Sequence, residues 1–259
     1  MTQYHNIFDS HSHYDAEQFD GEREALLADL PQRGIRAVMA AADTLESAAR
    51  GRKMAERYDY IWCSAGIHPH DAKSAPDNLE ARLDELFQYE KCKAVGEIGL
   101  DYHYDHSPRE KQREVFERHL AYAVKHDLPV IIHDREAHRN VMDLLVKYRP
   151  RGVVHCYSGS AEMAKELLKL GLFIGFTGAV TFKNARRAIE ALAVIPTDRL
   201  LIETDCPYMA PVPLRGQRCD SSMIPHTAAV MAQAKGLEVQ QLLDATFENA
   251  CRVYGISPK

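Results

Sequence analysis

Residues 92–101 read CKAVGEIGLD, an apolar run that carries one carboxylate, Glu97, in its interior. Short runs of small and β-branched residues bounded by Gly, Pro or charge are typical of strands buried on both faces of a parallel sheet. Seven further runs of this kind lie near residues 7, 35, 60, 128, 151, 172 and 199. The sequence therefore predicts eight parallel strands.

Amphipathic stretches with helical spacing separate these runs. Residues 107–127 begin with Ser107, Pro108 and Glu110, the pattern of an N-cap, a first-turn proline and a capping box. Alternation of strands and helices without a linker or a change in composition favours the α/β class and one closed (β/α)8 TIM barrel, a single domain over 1–259. An open doubly wound sheet is the competing architecture.

The composition is that of an ordinary globular protein, with 46% hydrophobic and 27% charged residues. A net charge of -5 argues against a protein that coats nucleic acid, but not against an enzyme whose bound cations meet a phosphate. No apolar run approaches the ~20 residues of a membrane span, and MTQYHNIFDS lacks the regions of a signal peptide. Six scattered cysteines indicate reduced thiols. We expect a cytoplasmic monomer without membrane association.

Histidines and carboxylates follow six of the eight runs. They are His11 and His13 after the first run, His68 after the third, Glu97 and Asp101 in the fourth, His133 after the fifth, His155 after the sixth, and Glu203 and Asp205 after the eighth. The C-terminal ends of the strands of a TIM barrel meet at one mouth, where active sites lie. We therefore expect these side chains to share one bowl.

Each group has an ordinary structural explanation when it is taken alone. The histidines fit hydrogen-bonded core or loop positions, Glu97 fits a buried ion pair with Arg135 or a lysine, and Asp205 fits a helix N-cap. Structural needs do not require all of them to fall at the same end of different strands. A metal cluster does require it, and the sequence therefore predicts a metal centre.

The ligand types predict two divalent cations. One site would use His11, His13 and Asp205, the other His133 and His155, with Glu97 bridging the two. Histidine and carboxylate without thiolate suit Zn²⁺, Mn²⁺ or Fe²⁺ better than Ca²⁺, and Mg²⁺, which prefers more oxygen ligands, stays beside Zn²⁺ and Mn²⁺ as a candidate. Two adjacent cations can activate water and neutralise the charge that develops on a phosphate.

Further roles follow from these positions. Asp205 is a candidate for deprotonating the attacking water, and with Glu97 it forms the candidate catalytic pair. Glu203 and Asp101 are candidates for orienting imidazoles from behind, and His68 for contacting a substrate phosphate. The aromatic residues expected at the mouth are Tyr102, Tyr104, Tyr157 and Phe176. Tyr102 and Tyr157 are the candidates for stacking an unpaired base, and the other two are expected to pack at the rim.

Seven stretches spread over nearly the whole chain form a more specific pattern. They are FDSHSHYD at 8–15, AGIHPHD at 65–71, AVGEIGLDYHYDHSPREKQREVFERHL at 94–120, LPVIIHDREA at 128–137, VVHCYSGS at 153–160, GFTGAVTFKNA at 175–185 and LLIETDCPYMAP at 200–211. Together they resemble the TatD-type metal-dependent deoxyribonucleases, within the amidohydrolase-like TIM barrels. The resemblance implies hydrolysis of phosphodiester bonds, 3′–5′ and exonucleolytic, on single-stranded or damaged DNA ends. It also implies six metal ligands: His11, His13, Glu97 (shared), His133, His155 and Asp205.

The loop after the last strand departs from the family pattern. Family members usually read Gly-x-Arg-Asn-Glu-Pro, where this chain reads GQRCDSS at 216–222. Arg218 is kept and is a candidate substrate contact, so the departure bears on substrate preference rather than on the metal site. Asp134, where the family often has Ser or Cys, adds negative charge near the site. Cys156 and Cys206 are expected to be small core residues and not ligands.

Two rival functions remain open. The first is an amidohydrolase that cleaves a C–N or lactone bond, although many of those barrels bridge their metals with a carboxylated lysine where this chain has Glu97. The second is a non-catalytic, metal-stabilised binding module, although a structural site is closed and four-coordinate and needs no bridging carboxylate.

Overall fold

In the computed structural model, which describes residues 4–258, eight parallel strands form one sheet in sequence order. The strands are β1 (Ile7–Ser12), β2 (Ile35–Ala40), β3 (Ile61–Ala65), β4 (Cys92–Asp101), β5 (Val130–Arg135), β6 (Gly152–Val154), β7 (Phe173–Phe176) and β8 (Leu200–Ile202). They form a nearly closed barrel, so the prediction of a (β/α)8 TIM barrel is confirmed and the open doubly wound sheet is wrong. The first and last residues of the predicted domain, 1 and 259, lie outside the described residues.

Helices alternate with the strands and cover the outside of the barrel. They are α1 (Arg23–Asp29), α2 (Leu45–Arg57), α3 (Leu79–Phe87), α4 (Arg109–Lys125), α5 (His138–Tyr148), α6 (Ala161–Lys169), α7 (Arg186–Val194), α8 (Ile224–Lys235) and α9 (Val239–Tyr254). Within residues 4–258, none of these helices has the length and apolarity needed to cross a membrane.

The predicted start of α4 is wrong in its details. The helix begins at Arg109 with Pro108 at its N-cap, and no side chain caps it. The Ser107 hydroxyl instead donates to the carbonyl of His70 at 2.7 Å and accepts from the backbone N–H of Lys73 at 3.0 Å. Ser107 therefore ties the loop after β4 to the loop after β3, and both loops border the mouth.

The barrel interior is layered. A buried apolar cluster fills one end, and it includes Ile131 on β5, Val153 on β6 and Leu201 on β8. Side chains two positions apart on a strand share a face, so the next inward positions on these strands are His133, His155 and Glu203. On these three strands the side chains thus change from apolar to histidine or carboxylate toward the mouth.

Side chains contribute much of the seam between β8 and β1. One isolated parallel bridge joins Ser12 to Cys206, and the buried Asp9 of β1 reaches across to the segment after β8. Its carboxylate accepts from the backbone N–H of Thr204 at 2.9 Å, the Thr204 hydroxyl at 2.6 Å and the Ser221 hydroxyl at 2.6 Å. The seam therefore holds the segment that carries Asp205.

Candidate metal centre

Glu97 lies at the centre of a buried cluster at the mouth of the barrel, and its two carboxylate oxygens face different histidines. Oε2 lies 3.2 Å from Nε2 of His11 and 3.6 Å from Nε2 of His13. Oε1 lies 2.7 Å from Nε2 of His155 and 2.8 Å from Nδ1 of His133. One side chain thus contacts two separate pairs of imidazoles.

Asp205 completes the first of these sets. Its Oδ1 lies 3.6 Å from Nε2 of His11 and 3.4 Å from Nε2 of His13, and the two imidazole nitrogens are 3.0 Å apart. Its backbone N–H donates to the carbonyl of His11. Asp205 therefore lies with the histidines of β1, and the alternative role of a helix N-cap is wrong.

The structure brings the six expected ligands together in overlapping groups. In each group, one ligand atom from each residue lies within 4.8 Å of the others. The four groups are His11, His13 and Asp205; His11, Glu97 and His155; His68, Glu97 and His133; and His13, Asp43 and Glu97. Within residues 4–258 no lysine or arginine pairs with Glu97, so the alternative of an ion pair with Arg135 is wrong.

The donor set fits divalent cations. The Nδ1 atoms of His11, His13 and His155 are buried and have no hydrogen-bond partner among the described residues. Asp43 lies 3.6 Å from Nδ1 of His13, and Glu203 lies 3.6 Å from Nδ1 of His155. A carboxylate on the Nδ1 side favours the tautomer with the proton there, which leaves the Nε2 lone pair facing Glu97 for a cation.

Asp101 and Glu203, which the sequence analysis names as candidates for orienting imidazoles, both lie beside histidines of the cluster. Asp101 accepts from His133 Nε2 at 3.2 Å and from His70 Nε2 at 2.9 Å. Glu203 accepts from the backbone N–H of Cys156 at 2.6 Å, beside His155. Both carboxylates are buried, so each restrains the orientation of the histidine that it faces.

The electrostatics of the cluster keep Glu97 ionised. Burial would raise the pKa of this carboxyl, but His155, His68 and His11 outweigh burial and hold the pKa well below its ordinary value. Conversely, burial lowers the pKa of His155, and the carboxylates of Glu97 and Glu203 outweigh it and raise that pKa well above normal. Protons and cations therefore compete for the same nitrogens.

His68 differs from the other histidines of the cluster. Its Nδ1 accepts the backbone N–H of His70 at 3.2 Å, and burial lowers the pKa of His68, so the neutral ring carries its proton on Nε2. That Nε2 lies 3.4 Å from Oε1 of Glu97. His68 is thus a hydrogen-bond donor at the mouth.

A cavity of about 450 Å³ opens above the cluster. Its walls include Arg135, whose guanidinium carbon lies 4.7 Å from the ring centroid of Tyr104. Tyr104 and Tyr208 are 49% and 56% exposed and line the same cavity. The positively charged guanidinium of Arg135 and two accessible aromatic rings therefore lie at this opening, beside the metal-binding atoms.

Three residues predicted to contact the substrate do not line this cavity, and their roles stay predictions. The ring of Tyr102 lies 4.3 Å from the Arg109 guanidinium and its hydroxyl accepts from Asn140. Arg218 pairs with Glu22 at 2.7 Å. Tyr157 is buried and lines a neighbouring cavity.

The expectation of a core position is wrong for one of the two cysteines. Cys206 is fully buried, as expected for a core residue, whereas Cys156 is only half-buried and lines the neighbouring cavity. Neither cysteine belongs to any of the four ligand groups found in residues 4–258.

Sequence reasoning missed Asp43 and Tyr208. It named Arg135 only as a partner of Glu97, and it expected Tyr104 at the mouth but as a packing residue. Asp43 follows the apolar run of β2, so inspection of the end of that strand would have found it. The other residues lie in loops or depend on side-chain direction, for which a strand pattern gives no signal.

The chain is similar to known proteins over nearly its whole length. The family model described as TatD related DNase matches residues 8–255. A Bacillus subtilis protein named "Uncharacterized metal-dependent hydrolase YabD" is 38% identical over 254 residues, covering 97% of this chain and 100% of that protein. A Pectobacterium carotovorum protein named "3'-5' ssDNA/RNA exonuclease TatD" is 32% identical over 262 residues, covering 97% and 100%. The crystal structure of YJJV, a TatD homolog from Escherichia coli K12, superposes with a TM-score of 0.90 at 30% identity, covering 97% and 99%.

Proposed function

This chain belongs to the TatD related DNase family of metal-dependent hydrolases, and we propose that it hydrolyses phosphodiester bonds at the ends of single-stranded or damaged DNA in the 3′–5′ direction. The name of the Pectobacterium relative supports both the polarity and the single-stranded substrate. The name of the Bacillus relative supports the coarser assignment of a metal-dependent hydrolase.

The observation that carries the proposal is the division of the Glu97 carboxylate between two imidazole pairs. A carboxylate with one oxygen at each set suits two cations, held by His11, His13 and Asp205 on one side and by His133 and His155 on the other. When bound, such cations supply an activated water and neutralise charge developing on a phosphate. An arrangement built around a bridging glutamate favours this chemistry over a closed structural site.

His68 and Arg135 are the proposed phosphate contacts. The Nε2–H of His68 points toward the cluster, and a phosphate oxygen there would replace Glu97 as its acceptor. Arg135 lines the same cavity and would supply a charge-assisted hydrogen bond to a second oxygen. Together they would orient the ester for attack.

Asp205 is the proposed proton acceptor. Burial would raise the pKa of its carboxyl, but the hydrogen bond from His13 and the charges of His11 and His155 outweigh burial and lower the pKa. The carboxylate is therefore ionised at neutral pH and can take a proton from an attacking water. Its attachment to His11 through the backbone keeps it beside the cluster.

The walls of the cavity support the proposed substrate class. Tyr104 and Tyr208 expose their rings, and an unpaired base can stack on such rings whatever its identity. A net charge of -5 does not favour tracking along an extended phosphate backbone. These features favour a short contact with an unpaired strand end.

The test uses metal-stripped protein, single-stranded DNA labelled at the 5′ or the 3′ end, and separate addition of Mg²⁺, Mn²⁺ and Zn²⁺. The proposal predicts a ladder of shortened strands from the 5′ label and immediate release of a mononucleotide from the 3′ label. An RNA strand of the same sequence tests the breadth of the substrate class. Hydrolysis of a dihydropyrimidine or a lactone without cleavage of any strand would establish the amidohydrolase instead. Retained metal without any hydrolysis would indicate a binding module.

A further inference from the structure

A second cavity, also of about 450 Å³, adjoins the metal centre on the side of β5 to β7. We call it the side lobe. It shares His133, His155 and Asp205 with the first cavity, and Arg135 and Met209 line both. A phosphodiester at the metal centre would therefore have one cavity on each side of it.

The walls of the side lobe suit a flat ring. Tyr157 and Phe182 supply aromatic surface, and Ala185 and Ala188 supply small side chains at the start of α7. The Tyr157 hydroxyl donates to the carbonyl of Ser160 at 2.6 Å, which fixes that wall. Apolar and aromatic walls with a few polar groups are typical of small-ligand sites.

One polar group in the side lobe lacks a partner. The side chain of Asp134 is only 3% exposed, and its Oδ2 accepts from Nδ1 of His138 at 2.8 Å. Its Oδ1 is buried and has no hydrogen-bond partner among the described residues. A buried carboxylate oxygen of this kind requires a donor, and the residue lines the lobe.

We propose that the side lobe binds the terminal nucleoside of an unpaired strand and that Asp134 accepts a hydrogen bond from its free sugar hydroxyl. This deepens the proposed function and rests on it. A terminal hydroxyl is common to all four nucleotides, whereas an exocyclic amino group is absent from thymine, so a sequence-independent exonuclease would use the hydroxyl. A strand continuing past this point would place a phosphate against a buried carboxylate, which repels it.

The experiment compares two single-stranded DNA oligonucleotides that differ only in a 3′-hydroxyl or a 3′-phosphate end, together with methyl p-nitrophenyl phosphate, a small diester with a methyl group in place of the terminal nucleoside. The wild-type protein is expected to prefer the hydroxyl end. Asp134→Asn removes the charge but keeps the size, and it should reduce that preference about 10-fold, as expected for loss of a hydrogen bond to a charged acceptor. Hydrolysis of the small diester should stay at the wild-type rate. The matched control is Asp143→Asn, an exposed residue on α5.

A second variant keeps the test valid if Asp134→Asn does not fold. Ala188→Leu narrows the side lobe without touching a metal-binding residue, and it should slow strand cleavage while leaving the small diester unaffected. Circular dichroism establishes that each variant is folded.

The outcomes separate the two proposals. A wild-type protein without end preference, or a folded Asp134→Asn variant with unchanged preference, overturns the role of Asp134 alone. An Ala188→Leu variant that cleaves strands at the wild-type rate overturns the side lobe as the nucleoside site. A wild-type protein that hydrolyses neither the strands nor the small diester with any cation overturns this inference and the proposed function together.

Discussion

His68 is the residue whose role the hydrogen bonds distinguish most sharply from that of its neighbours. Because its proton lies on Nε2, it is placed to donate to the substrate rather than bind a cation. His68→Asn should lower kcat/KM for strand cleavage about 100-fold, the order seen when one donor to a developing charge is removed. Metal content per chain, measured by mass spectrometry, should not change. His126→Gln, an exposed position directly after α4, is the control. Loss of metal from the His68→Asn variant would show instead that His68 is a metal ligand.

At the scale of residues, the sequence predicted the cluster better than its surroundings. Glu97, His133 and His155 follow or interrupt buried strands, where side-chain direction is set by alternation along the strand. Tyr102 and Tyr104 lie beyond the strand pattern, in and just after the turn that ends β4, and only the structure shows that Tyr104 reaches the cavity. Loop residues were therefore assigned with much less information.

At the scale of elements, α4 carries a buried histidine outside the site. His119 is fully buried, its Nδ1 donates to the carbonyl of Val115 at 2.8 Å, and its Nε2 has no partner among the described residues. Burial lowers its pKa from 6.5 to about 4. Between these values the unfolded chain binds a proton that the folded chain does not, so stability falls as the pH drops from 6.5 toward 4.

This shift gives a pH-dependent prediction. At pH 5 the penalty amounts to about 2 kcal/mol of unfolding free energy, and at pH 7 it is close to zero. Urea denaturation measures the unfolding free energy of His119→Leu and of wild type. The difference between them should therefore shift in favour of the variant as the pH falls from 7 to 5. His126→Gln, exposed directly after the same helix, should follow the wild-type pH profile. A His119→Leu variant with the same pH profile as wild type would show that burial does not suppress protonation here.

The seam between β8 and β1 is a second element-scale feature, and no local pattern predicts it. Asp9, Thr204 and Ser221 are distant in sequence, so only the closed barrel brings them together. The strands themselves were predictable because burial on both faces leaves continuous apolar runs. Closure of the barrel by hydrogen bonds between side chains that are distant in sequence leaves no such pattern.

Asp9→Ala should cost at least about 3 kcal/mol of unfolding free energy, because three buried donors lose their acceptor at roughly 1–3 kcal/mol each. Ser221→Ala should cost less, since Asp9 keeps both hydrogen bonds from Thr204. Urea denaturation measures both. An Asp9→Ala variant within about 0.5 kcal/mol of wild type would mean that the seam does not depend on this carboxylate.

At the scale of the whole molecule, the barrel brings side chains from distant parts of the sequence to one mouth. Ligand candidates separated by almost 200 residues, His11 and Asp205, lie within 3.6 Å because parallel strands end at one mouth. The apolar layer beneath them excludes water from one side of the cluster. The fold thus explains why an ordinary, slightly acidic chain can hold a dense group of histidines and carboxylates.

The central claim is that one carboxylate, Glu97, holds two divalent cations, and metal content tests it most directly. Metal-stripped wild-type protein reconstituted with Mn²⁺ or Zn²⁺ and analysed by mass spectrometry should contain two ions per chain. Glu97→Gln, which keeps the size but loses the charge, should contain fewer than two and should cleave single-stranded DNA only at the background rate. Glu110→Gln, an exposed position on α4, is the matched control. A folded Glu97→Gln variant that keeps two ions and cleaves DNA at the wild-type rate would contradict the claim.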